Sequence, residues 1–370
     1  MINILLLLII ILAFISLSLI IFIRLKKYSN NKKILNFIYS FEKFSSYLII
    51  IFVSYLLVDM VLFRFLGHGY PSNRDQENIQ RLPTPYDFFS GKPNVRDHNS
   101  DGFRGQNFKK ANDEQLSIAF FGGSSGYNGN PPIINLVEKN LNSQNINTIV
   151  YNFSSVSSNH NQHLSRLIKF SDLNFDIVIF YGGFNETFQT LFADPRPGYP
   201  FNFWTIGELH PLKFTLLKYF PFIAEIDKQT GKISGLTKIR EDVNIGSDIW
   251  LDKLLENYTS TLLNSKKLTE KFINPNLCNK SIFLGIYQPI SLSKMTNKLL
   301  GDLEKNFKYK VVKESRNKIK KYNFLYDLSD LYEENMFTDS VHVTDEAKKI
   351  MAKRITSLVK DNLKQKCKIN

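Results

Sequence analysis

The sequence predicts a three-layer α/β/α domain with a parallel sheet, preceded by two transmembrane helices. Short runs that are apolar throughout suit strands covered on both faces, and segments with helical apolar spacing separate them. Strands that alternate with helices indicate a parallel sheet with helices on both sides. Two long apolar runs near the N-terminus predict the membrane helices.

The first 66 residues hold both apolar runs. Residues 3–23 carry no charge over the length that a bilayer-spanning helix needs, and they lack the basic start and small-residue cleavage site of a signal peptide. Residues 45–66 form the second run, interrupted by Asp59, which we expect to face the other helix or the membrane interface. The alternative for the second run is a buried core helix.

Most of the net charge of +13 lies in two stretches of the chain. Residues 24–43 carry six Lys or Arg against one Glu, and residues 343–370 carry eight against three acidic residues. The first stretch joins the two apolar runs. Because positive loops stay in the cytoplasm, everything after about residue 67 should be extracytoplasmic. The remainder is close to neutral, so we expect no nucleic-acid partner, and the basic tail fits a solvated helix face.

Four parts follow from this pattern. Residues 1–66 form a transmembrane helical hairpin, residues 67–115 an extended Pro- and Asn-rich linker, and residues 116–365 the globular domain, with an insertion at about 187–246. The predicted strands are 116–121, 148–151, 177–181, 282–287 and, more weakly, 323–326. Four helices are predicted. One begins near Pro131, one begins near Gln162, a third covers 249–263, and the last has apolar residues at helical spacing from Ala347 to Val359.

The cysteines and two of the histidines give no metal motif. Cys278 and Cys367 could form one disulfide outside the cytosol, which the sequence leaves open. His160 and His163 lie three residues apart with no carboxylate in a metal-binding pattern, so we expect structural or surface roles for both. No metal or organic cofactor is expected.

Three polar stretches carry the candidate chemistry, each just after a predicted strand or ahead of a helix. Ser124 lies in a glycine-rich turn that can present a hydroxyl and backbone N–H groups to a reacting carbonyl, although Ser125 could compete as nucleophile and an ordinary loop is the alternative. Asn185 follows the third strand and could donate to an oxyanion or cap a helix. Asp339 could orient His342 as a base, and Thr344 looks like the N-cap of the last helix.

Taken together, these stretches resemble the SGNH/GDSL hydrolase family over about residues 99–360. The nucleophilic serine of its first block falls on Ser124, although Gly123 stands where the Gly-Asp-Ser version has aspartate. Its third block resembles residues 183–186, and its fifth block, Asp-x-x-His, matches residues 339–342. Its second block falls on residues 152–159, with Ser158 where glycine is usual and Ser157 as the alternative match. The chain closely resembles the membrane-tethered bacterial members of this family that are found with surface-polysaccharide genes.

The resemblance implies a serine esterase that removes O-acyl groups, O-acetyl first among them, from an extracytoplasmic glycan. Ser124, His342 and Asp339 would form its triad, while backbone N–H groups of Ser124 and Ser158 and the Asn185 amide would receive the oxyanion. In the insertion, Arg196, Tyr199 and Trp204 could hold a sugar ring, or the insertion could be a lid that packs on the domain. The alternatives are an O-acyltransferase using the same residues and a non-catalytic glycan-binding or assembly protein.

Overall fold

The computed structural model describes residues 31–61, 82–84, 88–188, 243–295 and 306–367, with isolated positions in 16–26 and 220–226. The chain forms two compact units. Residues 1–74 and 210–234 make the first, and residues 75–209 and 235–370 make the second.

The first unit contains helix α1, Lys32–Met60, whose N-cap Asn31 accepts a hydrogen bond from the Lys33 N–H. Within the described part of the chain it is the one helix long and apolar enough to cross a membrane, by length and composition. Many apolar side chains of its second half, including Ile50 and Ile51, are exposed, which contradicts the alternative of a buried core helix. Of the first apolar run, 3–23, only isolated positions are described, and these are helical.

Helix α1 begins earlier than the sequence indicated. We expected a basic loop over residues 24–43, but the helix starts at Lys32 and includes the second half of that stretch. No glycine or proline occurs between residues 32 and 60, so nothing in the local sequence breaks the helix before the apolar run.

Asp59 has polar partners within the first unit. Its Oδ1 accepts hydrogen bonds from the Tyr55 hydroxyl at 3.3 Å and from the Phe222 N–H at 3.1 Å. The Tyr55 ring also packs on the rings of Phe220 and Phe222. Part of the expected insertion, residues 210–234, therefore belongs to the unit of the apolar helix, whereas we had placed the whole insertion in the globular domain.

The second unit is built on the predicted parallel sheet. Its five parallel strands are β3 (Leu116–Gly122), β4 (Thr148–Asn152), β5 (Ile177–Gly182), β6 (Ile282–Tyr287) and β7 (Leu325–Asp327), after a short antiparallel pair, β1 (Leu82–Thr84) and β2 (Phe88–Ser90). The spatial order is β4-β3-β5-β6-β7, one of the two common orders of doubly wound sheets. In that order the connections from β3 and β5 run to opposite sides, which opens a crevice at their carboxyl ends.

Seven helices of the second unit are described. They are α2 (Ser124–Tyr127), α3 (Ile133–Asn142), α4 (His160–Lys169), α5 (Phe184–Thr187), α6 (Asp248–Phe272), α7 (Phe307–Ile319) and α8 (Asp345–Lys366). The sequence did not predict α7, because its apolar residues are few and widely spaced among lysines. Thr344 is the N-cap of α8, as predicted, since its hydroxyl accepts the Ala347 N–H.

Helices cover both faces of the sheet, which confirms the predicted α/β arrangement. Alternate residues of β3 point to opposite sides, so Ile118 and Phe120 join a core with α3 and α8. Ala119 and Phe121 join the other core, with α4, α6 and α7. Successive side chains of β3 enter different cores, and both cores are buried. The strand is therefore a continuous apolar run in the sequence.

The segment expected as a linker contributes to the core of the second unit. Phe89 and Phe103 are fully buried, and the buried Arg166 guanidinium donates to the Phe89 and Phe153 carbonyls while lying over the Phe103 ring. The polar, proline-rich composition of residues 67–115 gave no indication that these two aromatic side chains are buried. Because they are, the domain includes described residues well ahead of 116.

A disulfide joins Cys278, just before β6, to Cys367 at the end of α8. This answers the question that the sequence left open, and it ties the C-terminal end of α8 to the sheet.

Candidate active site

Ser124 lies at the carboxyl end of β3, as the first residue of the four-residue helix α2. The preceding Gly123 is packed so closely that a Cβ there would overlap the Asn185 amide nitrogen. A side chain at position 123 would therefore require the Asn185 amide to move. Because Ser124 is the first residue of its helix, its backbone N–H has no intrahelical acceptor.

His342 connects Ser124 to Asp339. Its Nε2 lies 2.8 Å from the Ser124 Oγ, and its Nδ1 lies 2.6 Å from the Asp339 Oδ2. An ionised carboxylate can only accept hydrogen bonds, so Nδ1 carries a proton that it donates to Asp339. Nε2 then accepts from the serine hydroxyl. The structure therefore brings together three residues that span 218 positions of the chain.

Asp339 is held by its own turn. Partial burial alone would raise the pKa of its carboxyl. Hydrogen bonds from the His342 ring and from the N–H groups of Val341 and His342, the latter two 2.8 and 2.7 Å from Oδ1, outweigh the burial and bring the pKa below its ordinary value. Asp339 is thus kept ionised as the partner of the imidazole.

The loop that carries His342 is fixed to neighbouring elements. Ser125 Oγ donates to the Val341 carbonyl at 3.2 Å, and the Ser291 N–H donates to the Ser340 carbonyl at 2.9 Å. Ser125 was the alternative nucleophile, but the structure pairs the His342 ring with Ser124 and gives Ser125 a backbone partner.

Asn185 approaches the site from the end of β5. It lies in the short helix α5, after Gly183, whose φ of +124° is in the left-handed region that favours glycine. Its Nδ2 donates to the Ser158 carbonyl at 2.6 Å and lies beside Gly123. An amide nitrogen carries two hydrogens, so Asn185 retains a second donor next to the Ser124 turn.

Ser158 differs from what we expected. Its N–H donates to the Ser155 carbonyl at 3.2 Å, so this turn already occupies the donor that was assigned to the oxyanion. The neighbouring Ser157 has a φ of +65°, which closes that turn, and no hydrogen bond of Ser157 toward the site is described. This hydrogen bond argues against the Ser158 N–H as an oxyanion donor, and the contacts of Ser158 with Asn185 and His163 are made by its carbonyl and hydroxyl.

His160 and His163 have a carboxylate partner that the sequence did not reveal. His160 and His163 are fully buried, and His160 Nδ1 lies 3.1 Å from His163 Nδ1 and 3.2 Å from Glu186 Oε1. Ligand atoms of the three residues lie within 4.8 Å of one another, so this cluster could hold a metal ion by position alone. Glu186 follows β5 and the histidines follow β4, so only the sheet order reveals that they meet.

Arg104 is a second residue whose role the sequence did not reveal. Its Nη1 donates to the carbonyls of Tyr127 and Gly129, both at 2.7 Å, at the end of α2. The guanidinium also pairs with Asp97. Arg104 therefore braces the short helix whose first residue is Ser124. The only signal for this in the sequence was the position of Arg104 near the start of the resembled region, residues 99–360.

A cavity of about 180 Å³ adjoins the imidazole. Its lining residues are mostly polar or basic: Ser125, Asn128, Thr338, His342, Val343 and Lys348. The predicted sugar-binding residues, Arg196, Tyr199 and Trp204, lie outside the described residues.

Neither a family model nor a curated relative matches the chain. Solved structures similar to it include an inhibitor-bound aryl esterase of M. smegmatis, with 11% identity, a TM-score of 0.37 and coverage of 66% of this chain and 99% of that one. A carbohydrate acetylesterase from Sinorhizobium meliloti has 11% identity, a TM-score of 0.36 and the same coverages. An α/β hydrolase from the metagenome of Lake Arreo, Spain, has 10% identity, a TM-score of 0.35 and coverage of 65% and 94%.

Proposed function

We propose that the chain is an SGNH-type serine esterase that hydrolyses O-acyl esters. The observation that carries this proposal is the continuous hydrogen-bonded path from the Ser124 hydroxyl through His342 to Asp339, at 2.8 and 2.6 Å. A serine hydroxyl is a weak nucleophile until a base accepts its proton, and a histidine oriented by a carboxylate is suited to that task.

In the first step the Ser124 Oγ attacks the ester carbonyl carbon while its proton passes to His342 Nε2. The resulting imidazolium is stabilised by Asp339. Collapse of the tetrahedral intermediate breaks the bond to the alcohol oxygen, and His342 gives that oxygen its proton. Water then attacks the acyl-Ser124 ester with the same base, which releases the carboxylic acid and restores the serine.

In this proposal two donors would stabilise the oxyanion. The Ser124 N–H is free of an intrahelical acceptor, and the Asn185 amide lies beside Gly123 with its second hydrogen available. Removing one oxyanion donor typically lowers kcat by about 100- to 1000-fold. Asn185→Ala should fall within that range.

The setting supports an acylated glycan outside the cytoplasm as substrate. Helix α1 is long and apolar enough for a membrane span, and the first apolar run, 3–23, would supply a second one. The disulfide Cys278–Cys367 is typical of oxidising compartments. Hydroxyl, amide and ammonium groups around the cavity beside His342 could bind sugar hydroxyls. The substrate, the membrane hairpin and the extracytoplasmic location are all parts of this proposal.

The direct test is hydrolysis of p-nitrophenyl acetate and of an O-acetylated polysaccharide by the full-length protein in detergent. Ser124→Ala and His342→Gln should each abolish turnover of both substrates. Ser260→Ala, which alters an exposed hydroxyl on α6, is the matched control and should behave like the parent. If Ser124→Ala retains the parent's turnover, the proposed nucleophile is wrong.

A further inference from the structure

Ser158 has a side chain at a position where the resembled family has glycine, and that hydroxyl is fully engaged. The residue is 1% exposed. Its Oγ lies 3.0 Å from the Gly122 carbonyl at the end of β3, 2.9 Å from the Ser155 carbonyl and 2.9 Å from His163 Nε2. A glycine could make none of these three contacts.

The partners fix the protonation of both imidazoles. The Ser158 hydroxyl has one hydrogen, and two of its three neighbours are carbonyls, which can only accept. We therefore assign that hydrogen to a carbonyl and take His163 Nε2 as the donor to the Ser158 oxygen. A neutral His163 then has a bare Nδ1, which faces the Nδ1 of His160 at 3.1 Å. The hydrogen between them therefore belongs to His160, which also points it toward Glu186 Oε1 at 3.2 Å.

Both imidazoles are held in place as neutral rings. Burial is the largest influence, and it lowers the pKa of His160 and His163 in spite of Glu186 beside His160. The His160 ring stacks on Tyr258 with centroids 5.5 Å apart and planes at 19°, and His163 packs against Phe121 and Phe180. Rotation of either ring would require this aromatic packing to open.

Glu186 ties the far end of this series to the backbone. Its Oε1 accepts the His160 N–H at 2.9 Å, and its Oε2 accepts the Gly183 N–H at 2.6 Å, so it joins the first turns of α4 and α5. Glu186 is also the chain neighbour of Asn185, whose amide donates to the Ser158 carbonyl at 2.6 Å. The contacts thus form a closed ring through Ser158, His163, His160, Glu186 and Asn185.

We propose that Glu186, His160 and His163 are positioning residues that fix Ser158 and thereby orient the Asn185 amide toward the oxyanion. This inference rests on the proposed esterase function. None of the three would touch the substrate, and each would act by holding one carbonyl and one amide in place. The serine hydroxyl at position 158 is then a functional part of the ring, and the departure from glycine is explained by the presence of His163.

A double-mutant cycle on the full-length protein tests this proposal. Ser158→Ala and His163→Leu should each lower kcat on p-nitrophenyl acetate about tenfold, less than loss of a whole oxyanion donor, with KM unchanged. Because both changes break the same ring, the double variant should be little slower than either single one. His163→Gln, which keeps a side-chain donor, should recover part of the loss. Losses that multiply in the double variant would overturn the proposal.

Ser117→Ala is the matched control for loss of a buried hydroxyl. Ser117 is at the opposite end of β3, where its Oγ lies 2.7 Å from Asp176 Oδ2 and 2.9 Å from the Asn174 carbonyl and can donate its one hydrogen to either. The Ser117→Ala variant should have a lower melting temperature than the parent, as Ser158→Ala does, but an unchanged kcat. If Ser117→Ala lowers kcat equally, the effect at Ser158 is general destabilisation and the proposal is wrong.

Histidine ¹⁵N NMR tests the ring independently of any activity. In the parent, His163 should show a protonated Nε2 and a bare Nδ1, and Ser158→Ala should shift the Nε2 resonance. The opposite tautomer would contradict the proposed ring of hydrogen bonds. Addition of one equivalent of zinc is a second test: binding of zinc to both Nδ1 atoms would also contradict the ring. If the parent lacks esterase activity but shows the expected tautomer, the proposed function fails while the ring stands.

Discussion

At the scale of single residues, each ring nitrogen of His342 has one partner, and this division of labour is what makes Ser124 a candidate nucleophile. Asp339→Asn should test it while keeping the shape of the turn. An asparagine amide would donate to Nδ1, which would place the ring proton on Nε2, where it cannot accept the Ser124 proton. We expect kcat on p-nitrophenyl acetate to fall by at least about 100-fold. A loss of less than about fivefold would show that Asp339 does not set the tautomer.

The acidity of Asp339 leads to a second prediction, about stability. Because the folded-state pKa is lowered, the ionised carboxylate stabilises the fold above its unfolded pKa of about 4, and this contribution disappears as pH falls through the folded pKa. The side chain is about half exposed (53%), so the contribution should be small. The melting temperature of Asp339→Asn should be lower than the parent's near neutral pH, and the two should converge in acid. A gap that widens in acid would contradict this prediction.

The sequence identified the residues whose signal is local and missed those whose partners depend on the fold. Asp339 and His342 lie on one turn, and Ser124 and Asn185 each follow a recognisable strand, so order and spacing were enough to propose them. Glu186 meets His160 across 26 positions, because β4 and β5 flank β3 in the sheet. No periodicity in the sequence encodes that order.

At the scale of elements, the turn after β3 and the start of α5 are packed against each other at one glycine. Gly123→Ala should displace Asn185, because the added methyl group would overlap the amide nitrogen. We expect kcat to fall about as far as in Asn185→Ala, on the order of 100-fold, with the fold retained. In an Asn185→Ala background the added methyl group meets no amide, so Gly123→Ala should lower kcat little further. An additional full loss in that background would show that the methyl group acts elsewhere.

The disulfide is the second feature at this scale. Cys278 and Cys367 are 89 positions apart, and removing such a link typically costs about 2–5 kcal/mol of stability. Cys367→Ser should therefore melt at a lower temperature than the parent without reductant. With reductant the two should melt alike. Equal melting temperatures in both conditions would mean that the link does not stabilise α8.

Element boundaries were less predictable than element types. All five predicted strands of the parallel sheet are present, since each is an apolar run covered on both faces. Helix α7 was not predicted, because its few apolar residues resemble the pattern of a polar loop. In the structure, burial of Phe307, Val311 and Ile319 is enough to hold the helix in place. Phe89 and Phe103 likewise contact Arg166, which is far along the chain, so the local sequence did not predict their burial.

At the scale of the whole molecule, the proposal places the basic segment at 24–43 and the sheet domain on opposite sides of a membrane. Single cysteines at Ser29 and at the exposed Ser260, in a chain with both native cysteines changed to serine, would test it. A membrane-impermeant maleimide should label Ser260→Cys in intact cells and Ser29→Cys only after permeabilisation. The reverse pattern would place the domain in the cytoplasm.

The central claim is that the Ser124 hydroxyl is activated by His342, and covalent capture tests it most directly. A fluorophosphonate should form one adduct per chain, and mass spectrometry of the digested protein should place it on Ser124. Ser125→Ala should still be labelled, whereas Ser124→Ala and His342→Gln should not. An adduct that persists in Ser124→Ala at the parent's rate, or the absence of any adduct in the parent, would contradict the account.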